Sequence, residues 1–136
     1  MPSVPSYQSE HAAKYSTEYL AGIDLFNARE FHAAHDVWEE RWLDDADPQE
    51  KLFLQALIQT AVVFHHVELG RVGAARSMYG RAEEKFGQLD QPLFMSLDLT
   101  GFRTEVREAL DWLFQGEAAD VRIPDPFAAP KIRLES

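Results

Sequence analysis

Apolar residues recur at three- and four-residue spacings through most of the chain, the pattern of helices that each bury one face. Ala12, Tyr15, Tyr19, Ile23 and Phe26 form the first such row, from about Ser9 onward. Asn27, with Glu30 three places on, has the form of a capping box and predicts a second helix starting at that corner. Its Phe31, His35, Trp38 and Trp42 fall in one narrow stripe at 100° per residue. The acidic run at 44–47 stops it. Asp47-Pro48-Gln49-Glu50 then offers an N-cap acid, a proline at the first helical position and a glutamate at N3, the strongest helix start in the chain. The helix it opens runs to about Leu69. Leu52, Phe53, Leu54, Leu57, Ile58, Val62, Val63, Phe64 and Val67 point around its whole circumference, which predicts a central, buried rod.

Gly70 ends that helix, and a fourth spans 72–86 with Val72, Ala75, Met78, Tyr79, Ala82 and Phe86 inward and Gly87 closing it. Thr100 is placed to cap a fifth, whose inner face is Phe102, Val106, Ala109, Leu110 and Leu113. No segment shows period-two alternation or a hairpin turn. Beyond Gly116 the prolines of IPDPFAAPK make the chain extended, with Ile123, Phe127 and Ile132 available to pin it. The expected fold is all-α: a compact multihelical bundle of about five helices around a buried central helix at 48–69, with an extended, proline-containing C-terminal tail. The expected organisation is a flexible N-terminal arm at 1–8, a single helical domain at 9–115 and a tail at 116–136 packed on the body.

Composition narrows the partners. The chain has 136 residues, no cysteine, a formal net charge of −10 and a pI near 4.8. Cysteine-ligated metal, disulfides and thiolate catalysis are excluded. A field of that sign repels phosphate backbones and anionic lipid, so neither nucleic acid nor membrane is expected as a partner. The stretch 52–67 is broken by Gln55, Gln59, Thr60, His65 and His66, too short and polar for a membrane span. The first residues lack the basic and apolar regions of an export signal, and a cytoplasmic location is expected.

Candidate chemistry sits on the second and third predicted helices. Gln55, Gln59 and His66 project within about 40° of one another, a polar line on an apolar rod. His35 lies in the apolar stripe of the preceding helix, with Glu39 one turn on. Two such lines on consecutive antiparallel helices are expected to meet. His35, Glu39 and His66 would then offer two imidazoles and a carboxylate, the ligand set of an open divalent-metal site. Alternatively Glu39 orients His35 as a general base while Gln59 holds a substrate oxygen, or the cluster accepts a small-molecule ligand without turnover. The structural alternative is a closed polar network that fixes helix register, in a protein acting through its surface as a homo-oligomer or partner-binding module. His65 reads as a flank residue, and His11 and His32 as surface. Trp38 and Trp42 read as core. Gly70-Arg71-Val72-Gly73 follows a helix and lacks the lysine and hydroxyl of a phosphate loop.

The strings GIDLFNAREFHAAHDVWEERW at 22–42, FLQALIQTAVVFHH at 53–66 and LGRVGA at 69–74 resemble a family catalogued as domain of unknown function 309, over about residues 19–115. The resemblance implies a small multihelical bacterial or archaeal fold with no established activity. It places the family's recurring polar positions on His35, Asp36, Glu39, Gln55, Gln59 and His66, with Trp42 beside them. Asp36 stands where glutamate is usual, and Ala56 and Arg71 where glycine and asparagine are usual.

Overall fold

A computed structural model describes residues 5–44 and 46–136. Residues 1–4 of the expected arm and Asp45 of the acidic run lie outside the described residues. The helices are α1 (Ser9–Lys14), α2 (Thr17–Asn27), α3 (Phe31–Leu43), α4 (Pro48–Glu68), α5 (Val72–Leu89) and α6 (Leu99–Ala109). Short 3-10 turns follow at Asp111–Phe114 and Ala118–Asp120. The protein is an all-α, compact multihelical bundle, and its one sheet is a two-stranded hairpin, β1 (Leu93–Phe94) against β2 (Leu97–Asp98).

α4 forms the middle of the bundle, packing along both α3 and α5. Its start follows from local chemistry: Asp47 Oδ1 accepts from the backbone N–H groups of Gln49 and Glu50 at 2.9 and 3.0 Å. These are two of the orphan donors that open any helix, and Pro48 has no N–H to leave orphaned. Glu50 does not reach back to complete a capping box. It turns instead to Arg41 at the end of α3, at 2.8 and 3.2 Å, and so ties the two helices at the corner. Beneath α4, Phe64 meets Phe26, Phe31 and Phe127, while Phe53 meets Tyr19 and Phe94. Trp38 is fully buried against α2, where its Nε1–H donates to the Tyr19 carbonyl at 3.1 Å. The ring lies directly over Gly22, and any side chain there would collide with it.

Several expectations change. The first helical row is broken at Tyr15 and Ser16, where Ser16 Oγ caps α2 by accepting from Tyr19 N–H. Asn27 is the last residue of α2 and does not cap α3. Its side-chain amide is taken by the tail: Nδ2 donates to the Ile132 carbonyl at 2.8 Å and Oδ1 accepts from Ile132 N–H at 2.7 Å. The corner is turned instead by Arg29, with φ of 65°. Gly87 does not end α5, which continues to Leu89 because Leu89 is buried, and stops at left-handed Asp90. Asp98, rather than Thr100, caps α6, accepting from Gly101 N–H at 3.0 Å.

The hairpin has no sequence signature because its turn, Met95-Ser96 with φ of 47° and 64°, lacks the usual Asn-Gly. Tertiary contacts hold it: Tyr19 Oη–H donates to the Met95 carbonyl, and Tyr15 Oη and Ser96 Oγ share a hydrogen bond at 2.6 Å. The tail closes the same seam. Ile132 is fully buried, Leu134 N–H donates to the Ser6 carbonyl, and Glu135 N–H donates to the Ser96 carbonyl. His11, expected at the surface, is buried here with both ring nitrogens used. Nδ1 accepts from Gln8 N–H at 2.9 Å, so Nε2 carries the hydrogen and donates to the Glu135 carbonyl at 2.8 Å.

Candidate functional site

One side of α4 is not covered. Leu52, Gln55, Ile58, Gln59, Val62, His65 and His66 are half-buried and Leu69 is half-exposed. By helical phase these residues occupy a single arc of about 140°. The central helix is therefore apolar all round in sequence but buried only on three sides. Beside the arc runs the outward edge of α3 with His32, His35, Asp36, Glu39 and Trp42.

The α3 residues form a chain of contacts. His35 Nδ1 is hydrogen-bonded to Asp36 Oδ1 at 2.9 Å, and its Nε2 lies 3.2 Å from Glu39 Oε2. The other Asp36 oxygen is 3.3 Å from His32 Nδ1. Both nitrogens of His35 thus face carboxylates of its own helix, the Nδ1 contact being a hydrogen bond. Trp42 is half-buried, with Lys51 Nζ 5.7 Å from its ring centre.

On α4 the picture is the reverse. Gln59 Oε1 and His66 Nδ1 are buried atoms with no hydrogen-bond partner among the described residues. Burial lowers the pKa of His66, and the charges of Arg71 and His65 push the same way, so the neutral ring is favoured.

The two polar lines lie side by side but out of register. Phe31 stacks on Phe64, His32 lies against His65 with ring centres 5.1 Å apart, and Arg41 meets Glu50. This antiparallel pairing sets His35 level with about residue 60, beside Gln59. It sets His66 at the beginning of α3, roughly 9 Å further along at 1.5 Å per residue. By this register His35 and Glu39 face the middle of α4, and His66 lies toward its end. Among the described residues no three histidine, aspartate or glutamate side chains are disposed to hold one metal ion. Among the histidines, His32 and His65 are the pair that meets across the two helices. Periodicity gave no signal for this pair, because it fixes the phase of a helix and not its axial register against a neighbour.

Two depressions lie away from this cluster. One of 390 Å³ separates α6 from the tail, lined by Asp98, Gly101 and Glu105 against Lys131 and Arg133. Another of 410 Å³ sits between the end of α4 and Ile123–Phe127. Neither is lined by a residue of the α3–α4 cluster.

A family model described as domain of unknown function (DUF309) matches residues 19–78. The chain resembles that family over this segment, which is shorter than the 19–115 suggested by the motifs but contains every residue of the cluster. No curated protein matches the chain. No helix among the described residues is long and apolar enough to cross a membrane.

Proposed function

We propose that this protein is a binding module whose working surface is the α3–α4 face, formed by His35, Asp36, Glu39, Trp42, Gln55, Gln59 and His66 together with His32 and His65. The observation that carries this reading is the uncovered side of the central helix, along which Gln59 and His66 are half-buried and each keep one enclosed atom, Oε1 and Nδ1, that the fold leaves unpartnered. A network selected to hold the fold would satisfy them, since each costs roughly 1–3 kcal/mol when left alone. The Asp36 hydrogen bond on Nδ1 and the Glu39 carboxylate 3.2 Å from Nε2 tie the His35 ring to its own helix in this reading.

The test is a set of denaturation curves. A working surface is not where a fold stores its stability, so His35→Ala and Glu39→Ala are expected to unfold within about 0.5 kcal/mol of the parent protein. A loss beyond about 2 kcal/mol from either substitution would show that the cluster is structural, and would overturn the proposal.

A further inference from the structure

The uncovered arc of α4 is unlike the rest of this molecule in charge. The whole chain carries −10, yet residues 52–67 contain no Asp, Glu, Lys or Arg. The arc offers aliphatic groups from Leu52, Ile58, Val62 and Leu69 alternating with Gln55, Gln59, His65 and His66. Leu69 is 50% exposed at one end, and Leu43, one turn beyond Glu39 on α3, is 68% exposed at the other. Over residues 52–69 the face is about 27 Å long at 1.5 Å per residue.

Charge depletion with aliphatic and amide groups at the centre is the composition of an interface core. A cationic partner would be drawn to the acidic surfaces elsewhere and not to this face. A partner suited to this face must itself present an uncharged surface mixing amide, imidazole and aliphatic groups. This same face meets that description, and it is the approach by which two copies of a −10 chain avoid opposing their carboxylates.

We infer that the α4 arc is a two-fold interface between two copies of this chain. Ile58 and Val62, at mid-length, pack against the copies of one another across the axis, flanked by the half-buried side chains of Gln55, Gln59, His65 and His66. An isologous contact requires such a self-complementary patch. This inference rests on the reading of the α3–α4 face as the working surface and names its partner.

The experiment is sedimentation and light scattering of the full chain over a wide concentration range. The expected species has twice the chain mass of 15.5 kDa. Val62→Glu is expected to weaken association by roughly a hundredfold or more, because it buries an unpaired charge against its own copy. Circular dichroism checks that the variant is folded. Should it not fold, Gln59→Lys at a half-buried polar position serves the same purpose. Arg81→Glu, on the outer side of α5, is expected to leave association unchanged. A monomer at every concentration, or a dimer unaffected by the arc variants, overturns the inference. A monomer in which His35→Ala and Glu39→Ala keep parental stability would do so while leaving the binding-module proposal standing.

Discussion

Two polar regions of this molecule are built from the same residue types and treated in opposite ways. In the seam joining α1, α2, the hairpin and the tail, His11 and Asn27 use every capability that the structure records for them. His11 accepts from Gln8 and donates to Glu135, and Asn27 clasps both the N–H and the carbonyl of Ile132. On the α3–α4 face, His66 and Gln59 each leave a buried atom without a partner. The seam joins segments more than a hundred residues apart and depends on its hydrogen bonds to do so. The face joins nothing that apolar packing of α3 on α4 does not already hold. Polar groups that a fold needs are satisfied within it, and a polar line whose enclosed atoms go unsatisfied is not there to hold the fold.

The largest effect expected from this contrast is at Asn27. Asn27→Ala would orphan both backbone groups of buried Ile132, and a loss of roughly 2–4 kcal/mol in chemical denaturation is expected. A loss under 1 kcal/mol would mean that the tail is not held as described. His11→Leu comes next, at roughly 1–3 kcal/mol, because the Gln8 N–H and Glu135 carbonyl lose their partner. Hydrogen exchange at Glu135 and Gln8 would report the same loosening locally, and unchanged protection there would break the comparison from the seam side.

A smaller effect concerns pH. The folded state lowers the pKa of His66 below its ordinary value near 6.5, chiefly through burial and secondarily through Arg71 and His65. The unfolded chain then binds the proton more readily, so this group's contribution to stability is complete above about pH 6.5 and is lost as pH falls below it. His66→Leu should flatten that part of the stability–pH curve. A slope identical to the parent's between pH 7 and pH 5 would contradict the assignment.

The sequence made some of this legible and hid the rest for physical reasons. Helix faces follow from periodicity, so α4's central position, the stripe of α3 and the Asp47 cap were readable, as was the pinning of the tail by Phe127 and Ile132. The phases of Gln59, His66, His35 and Glu39 were readable too. Their axial register was not, because it depends on how the corner at 44–47 is turned, and periodicity carries no information about translation along an axis. His11 read as surface because its partner is a backbone carbonyl 124 residues away. Asn27 read as a cap because local pattern cannot show that a distant tail has claimed its amide. The hairpin turn is held by two tyrosine hydroxyls and the tail rather than by its own residues.

The most direct test of the central claim sets one amide from each region side by side: the denaturation midpoints of Gln59→Leu and Asn27→Leu. Removing a buried acceptor that has no partner should leave Gln59→Leu as stable as the parent protein or raise it by up to about 1 kcal/mol. Asn27→Leu should lose roughly 2–4 kcal/mol, since its partners stay behind unpaired. If Gln59→Leu is destabilised as much as Asn27→Leu, the polar line on α4 holds the fold together and is not a surface kept for a partner.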